Sequence, residues 1–142
     1  MNHTTQLKLS TGGSVHIFKE LTVGHAEDIA ELEDAWGQGL GPNKLAMVNA
    51  QARAVIGIHS IDPPEGSKPA LWPDLMFPVS ETSSTIIARR RYLKQTMRVA
   101  DLMRIASEVN QRLFVGAQLE GNSEAQSNSE TETGTDPTSS DG

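Results

Sequence analysis

The sequence predicts an α+β fold that is mostly α-helical: an N-terminal β-hairpin packed on a three-helix core, with one long C-terminal helix and a disordered acidic tail. Two short segments of alternating apolar and polar residues predict the hairpin, and three later segments with apolar residues at helical spacing predict the helices. The end of the chain is polar and acidic, with too few apolar side chains to form a core. We therefore expect one domain over residues 1–116 and a disordered acidic tail over residues 117–142.

The N-terminal hairpin is predicted from two alternating segments joined by Gly12 and Gly13. Leu7 and Leu9 alternate with polar residues in the first segment, and Val15 begins the same pattern in the second. Glycine readily adopts the positive φ that a tight turn requires. Because an isolated hairpin is only marginally stable in water, its apolar face is expected to pack on a helix.

Two short helices separated by a Gly-rich linker are predicted next. The first covers residues 25–36, with Thr22 as a suitable N-cap and five carboxylates on its exposed surface. The second covers residues 44–57, with Asn43 as its predicted N-cap and alanines that let neighbouring elements approach closely. Residues 58–61 are compatible with either a last helical turn or a brief strand.

A proline-rich loop is predicted over residues 62–78, which contain five of the seven prolines. This loop has an unusual density of large apolar side chains, namely Leu71, Trp72, Leu75, Met76 and Phe77. They either fold onto the core as a lid or form a docking patch, and the lid is the favoured interpretation.

Residues 86–115 form the longest helical pattern without Pro or Gly and predict one continuous helix, preceded by several possible N-caps in residues 80–85. Its apolar residues flank a polar sector on two sides. Ile86, Leu93, Met97 and Ala100 lie on one side, and Tyr92, Val99, Leu102, Ala106, Val109 and Leu113 lie on the other. The apolar arc is wider than a lone surface helix needs, so two elements, or one element and a partner, are expected to pack on it.

The cations of this helix are concentrated at Arg89, Arg90, Arg91, Lys94 and Arg98. All 12 Lys and Arg, and 12 of the 18 Asp and Glu, precede residue 117, so the net charge of −6 belongs to the tail. Nucleic-acid contacts usually accompany a basic domain and aromatic stacking residues, whereas the predicted domain is neutral and has only Tyr92 beside the cluster. Complementary charge is the favoured interpretation, with the acidic first helix, an acidic partner or the chain's own tail as the counterpart. Replacing the three consecutive arginines with Ser is then expected to leave the fold intact.

No catalytic, cofactor or metal site is predicted, and the chain is expected not to be an enzyme. The four histidines lie on different elements, and His59 with Asp62 falls short of the three or four ligands that zinc requires. The glycines at Gly37, Gly39 and Gly41 lack the preceding strand of a dinucleotide-binding loop, and no Ser lies in a nucleophile motif. The absence of Cys excludes disulfides, and no apolar run is long enough to predict a membrane span.

Three phrases carry a resemblance to a known family: residues 15–29, residues 54–62 with the phrase AVIGIHSID, and residues 80–113. Their order resembles that of the small tail assembly chaperones of long-tailed bacteriophages, and small baseplate proteins of contractile phages share the same organisation. The family often has Gly directly after the IxSID-like phrase, where this chain has Pro63 and Pro64.

The resemblance implies a non-enzymatic protein of the host cell cytoplasm that binds the tape measure protein and recruits tail tube proteins. We expect no cofactor, and a homo-oligomer is possible. The residues expected to contact a partner are Trp72, Phe77, Arg89, Arg90, Arg91, Tyr92, Met97 and Met103. A structural tail or baseplate component of the virion is the first alternative. A nucleic-acid-binding regulator that uses the cations of residues 89–98 is the second.

Overall fold

The computed structural model describes residues 3–122, in which three strands and four helices follow one another. They are β1 (Thr4–Lys8), β2 (Ser14–Phe18), α1 (Val23–Gly37), α2 (Pro42–Gly57), β3 (Ile58–Asp62), α3 (Ser84–Thr96) and α4 (Val99–Asn122). The residues up to Arg112 form one compact unit, and a second begins at Leu113, of which the described part is the end of α4. The predicted α+β class is confirmed.

The sheet contains the predicted hairpin and a third strand. All three strands are antiparallel in the order β1-β2-β3, with Leu7 opposite Val15 and Val15 opposite Ile61. Gly12 adopts a φ of 106° in the turn, as the hairpin prediction requires. Residues 58–61, for which the sequence was compatible with either a last helical turn or a strand, belong to strand β3. It covers an edge of β2 that would otherwise expose unpaired backbone groups.

Helix α1 has the predicted N-cap, although it begins at Val23, two residues before the predicted start, whereas the predicted N-cap of α2 is not the observed one. The Thr22 hydroxyl accepts a hydrogen bond from the His25 N–H at 3.2 Å, and His25 Nδ1 accepts one from the Thr22 N–H at 3.0 Å. The prediction of Asn43 as the α2 N-cap is wrong, because α2 starts at Pro42 and Gly41 is the N-cap. Proline suits the first helical position because its φ is helical and its missing N–H has no partner there.

The core lies where α2 meets the sheet and the other helices. Its large, fully buried apolar side chains are all aliphatic, as expected for a chain with few aromatics: Val15, Ile17, Leu32, Val55, Ile56, Ile58, Ile86, Ile105 and Val109. Helices α2 and α4 come very close at Gly57, where a Cβ would collide with the Val109 side chain.

The prediction of one continuous helix over residues 86–115 is wrong, because α3 ends at Thr96 and α4 begins at Val99. Met97 between them is extended, with φ −91° and ψ 132°. In one helix, Leu93 and Leu102 would point in directions about 180° apart, yet they are 2% and 5% exposed. The break turns Leu93 from one arc and Leu102 from the other toward the core, which explains why the predicted arc was too wide for one helix.

Helix α4 also passes the predicted domain boundary at residue 116 and ends at Asn122. The sequence of residues 117–120 is Ala-Gln-Leu-Glu, four residues with high helix propensity, so the polar composition alone was a poor guide to where the helix ends. The remainder of the predicted disordered tail, residues 123–142, lies outside the described residues.

Candidate functional site

Arg89 is a buried cross-link between the proline-rich loop and the junction of α2 and β3. Its side chain is 3% exposed. Its Nε donates to the Pro73 carbonyl at 2.8 Å, and its Nη1 donates to the carbonyls of Val55 at 2.7 Å and Ile58 at 3.0 Å. Burial lowers the pKa of Arg89 to about 10, although the nearby Asp74 carboxylate acts in the opposite direction.

This position corrects the expectation that Arg89 contacts a partner and can be replaced with Ser without harm to the fold. A side chain that donates to three backbone carbonyls in the interior supports the fold. The sequence contained a signal for this, because Arg89 lies three residues after Ile86 and four before Leu93, on the same face as those two buried residues.

Trp72 attaches the proline-rich loop to the same junction of α2 and β3 that Arg89 contacts. Its Nε1 donates to the Ile58 carbonyl at 3.0 Å, the Arg89 guanidinium lies 4.7 Å from its ring centroid, and the Tyr92 ring meets it edge-on at 6.1 Å. Other apolar residues of the loop do not fold inward: Leu71, Met76 and Phe77 are 75%, 64% and 72% exposed. The loop is therefore a lid at Trp72 and an exposed apolar surface on both sides of it.

The proline-rich loop and the α3–α4 junction enclose an apolar groove of about 430 Å³, which we call the loop groove. Leu71, Tyr92 and Met97 line it, with three prolines of the loop and Ile61 of β3. A second cavity of about 380 Å³, the Trp72 cavity, adjoins it, since Leu71, Tyr92 and Gln95 line both. The sequence-predicted residues Trp72, Tyr92 and Met97 thus lie around one composite depression.

Asp101 ties the hairpin turn to the first turn of α4 at the edge of the loop groove. It is 1% exposed and accepts hydrogen bonds from the Ser10 N–H at 3.1 Å and the Ser10 hydroxyl at 2.7 Å. Arg104 donates to the same carboxylate at 3.3 Å. By helical spacing Asp101 falls in the polar sector of the helix predicted over residues 86–115. Its burial was not predictable from local spacing, because its partner lies 91 residues away.

The other side of α3 forms a third cavity of about 380 Å³, which we call the basic pocket. Its lining consists of Trp36, Glu81, Ile87, Arg90, Arg91, Lys94 and Gln95. The Arg90 guanidinium lies 4.0 Å from the Trp36 ring centroid, and its Nε donates to Gln51 Oε1 at 2.9 Å. Burial lowers the pKa of Arg90. Between residues 3 and 122, neither Arg90, Arg91 nor Lys94 forms an ion pair with a carboxylate.

The acidic first helix does not neutralise these cations as the sequence suggested. Its ion pair within the described residues joins Glu33 to Arg53 of α2, and what α1 contributes beside α3 is the ring of Trp36. Of the other predicted contact residues, Phe77 is exposed on the loop. Met103 is 38% exposed on α4 and lines none of the three cavities.

No protein-family model, curated protein or solved structure significantly matches the chain. In the described part, no three His, Asp or Glu side chains come close enough together to hold a metal ion. None of the helices there combines the length and apolar character needed to cross a membrane.

Proposed function

We propose that this protein acts without catalysis, as a tail assembly chaperone of a long-tailed bacteriophage. It holds a helical segment of the tape measure protein in the loop groove and helps recruit tail tube subunits. The observation that carries the proposal is the exposed apolar surface of the loop beside that groove. The resemblance of residues 15–29, 54–62 and 80–113 supplies the kind of partner.

The groove has the chemistry that helix-in-groove recognition uses. Its lining is mainly apolar, and an amphipathic helix would bury one apolar face against Leu71, Tyr92 and Met97. Leu71 is three-quarters exposed without a partner, which is uncommon for a large apolar side chain beside a depression. Met97 has a flexible side chain that adapts to varied partners.

The groove is also preorganised. Arg89 and Trp72 fasten the loop through four hydrogen bonds to backbone carbonyls, so the loop groove exists before a partner arrives. A surface that is already ordered loses less conformational entropy on binding, which supports binding by a rigid depression.

Co-expression with the tape measure protein encoded nearby tests the proposal. Leu71→Ser is expected to lower recovery of the tape measure protein about tenfold, because it removes a large apolar contact of the groove that is 75% exposed. Val23→Ser is the matched control, since Val23 is also largely exposed and lies on α1, outside the groove. Equal recovery with both variants would contradict the proposal.

Mass spectrometry of purified virions distinguishes a chaperone from a structural component. The proposal expects the protein to be absent from finished particles. A stoichiometric amount in the tail or baseplate would instead favour the structural alternative.

A further inference from the structure

We propose that the basic pocket binds an acidic peptide segment of a partner protein, at a site separate from the loop groove. This inference goes beyond the proposed function, because it concerns a different face of α3, which shares only Gln95 with the loop groove, and a ligand recognised by charge. It is carried by Arg90, a half-buried cation that is fixed in place and lacks a carboxylate partner.

Arg90 is held by contacts that orient its charge without neutralising it. Trp36 supports the flat face of the guanidinium at 4.0 Å, and Gln51, a neutral side chain, accepts from Nε at 2.9 Å. The described residues provide no other hydrogen-bond acceptor for Arg90. Its terminal amino groups are therefore available to a ligand in the pocket that Arg90 lines.

Among the buried and half-buried arginines of the described residues, Arg90 is the one with neither a carboxylate nor backbone carbonyls as partners. Arg53 and Arg112 each form an ion pair with a carboxylate, and Arg89 donates to three carbonyls. Arg91 and Arg98 also form no ion pair there, but both are exposed to solvent. Partly desolvated charges in proteins are normally paired, because burial without a partner costs free energy. A carboxylate from another molecule would complete the missing pair, in a charge-assisted hydrogen bond.

The neighbouring side chains define the rest of the ligand. Arg91 and Lys94 are exposed and lie one helical turn apart, and Lys94 lies one turn after Arg90. Ile87, 42% exposed, adds an apolar contact one turn earlier. A segment with two or three carboxylates near an apolar side chain matches this arrangement. Glu81 at the same pocket repels such a ligand and weakens its binding.

An acidic peptide fits better than a nucleic acid. Arg90 covers a face of Trp36, so that face is closed to a stacking base. Nucleic-acid-binding surfaces normally belong to basic domains, whereas residues 1–112 contain equal numbers of acidic and basic side chains.

The test uses the full-length chain and two fluorescein-labelled synthetic peptides, followed by fluorescence anisotropy. The first has Glu and Leu at helical spacing, and in the second each Glu is replaced with Gln. The Glu peptide is expected to bind at least about tenfold more tightly, with an affinity that falls as salt is raised.

Three variants locate the site. Lys94→Glu is expected to weaken binding of the Glu peptide about fivefold, and Glu81→Gln to tighten it about threefold, because each changes one charge beside the ligand. Lys44→Glu is the matched control, since Lys44 is exposed at the start of α2, outside the pocket, and should change the affinity less than about twofold. Leu71→Ser should leave peptide binding unchanged, which separates this proposal from the proposed function.

Equal loss with Lys94→Glu and Lys44→Glu would overturn the proposal, because it would show a non-specific charge effect. Equal binding of the Glu and Gln peptides would also overturn it. Tighter binding of a fluorescein-labelled DNA duplex than of the Glu peptide, lost with Lys94→Glu, would assign the pocket to nucleic acid instead.

Discussion

Three adjacent arginines on α3 have three different environments. Arg89 is buried under the loop, Arg90 lies on Trp36, and Arg91 is exposed. The three residues are of the same type, so only their positions around the helix axis distinguish them. Arg89 lies on the same face as the buried Ile86 and Leu93, which directs it inward. The sequence therefore predicted that the three arginines form a cationic cluster. The separate role of each arginine depends on which element packs against its face of α3.

Arg89→Met is expected to destabilise the fold by about 3 kcal/mol, because the carbonyls of Val55 and Pro73 lose the buried Arg89 donor, while the Ile58 carbonyl keeps the Trp72 N–H. Urea denaturation followed by circular dichroism measures the loss. Arg91→Met, at the exposed position two residues on, should change the free energy of unfolding by less than about 0.5 kcal/mol. Similar values for the two variants would show that the cross-link contributes little to stability.

His25 makes the start of α1 sensitive to acid. Its Nδ1 accepts the Thr22 N–H, and Phe18 stacks on its ring at 5.2 Å. Burial lowers the pKa of His25 below 6.5, although Asp28 acts in the opposite direction. Since the folded state favours the neutral ring, this contribution to stability is complete above pH 6.5 and is lost as the pH falls from 6.5 through the lower folded-state pKa. Burial raises the pKa of Asp28 above 3.8. The contribution of Asp28 to stability therefore has the opposite sign: it is complete below pH 3.8 and is lost as the pH rises from 3.8 through the higher folded-state pKa.

His25→Gln is expected to flatten the dependence of stability on pH between about 5 and 7, because Gln can make the same capping-box bond without titrating. The measurement is the free energy of unfolding of both proteins across that range. An unchanged slope would show that the acid sensitivity does not arise at His25.

The local elements were predictable where the signal is contained within one segment. The Gly pair of the hairpin and Thr22 at the start of α1 act on their immediate neighbours, and both predictions hold. Strand β3 and the break after Thr96 depend on distant partners, namely the edge of β2 and the core beneath Leu93 and Leu102. The sequence predicted that Trp72, Tyr92 and Met97 contact a partner. It did not predict that they lie around one depression, because this depends on the position of the loop, which Arg89 holds in place.

The break between α3 and α4 can be tested with proline. Val99 is the first residue of α4 and is 58% exposed, so Val99→Pro should cost less than about 1 kcal/mol, since proline is favoured at that position. In a continuous helix the same change would cost about 3 kcal/mol or more. Met103→Pro, inside α4 and also exposed, is the control that should show the larger loss in urea denaturation. A large loss at both positions would contradict the break.

Two surfaces of different chemistry lie along α3 in the folded unit. The loop groove and the Trp72 cavity are mainly apolar, whereas the basic pocket on the other side carries three cations. Arg91 and Gln95 line both the Trp72 cavity and the basic pocket, so the two surfaces meet along one helix. A partner with an apolar helix and an acidic flank could therefore contact both without any change in the fold.

The Asp101–Ser10 contact has a consequence for the order in which the chain can fold during synthesis. The hairpin turn is made first, but the carboxylate that binds it follows 91 residues later, at the start of α4. During synthesis on a ribosome, the N-terminal hairpin therefore lacks its contact with Asp101 until α4 has emerged. The local hydrogen bonds between Leu9 and the two glycines of the turn can form early, whereas the contact between Ser10 and Asp101 can form only after α4 has been made. Contacts of such long sequence separation slow folding.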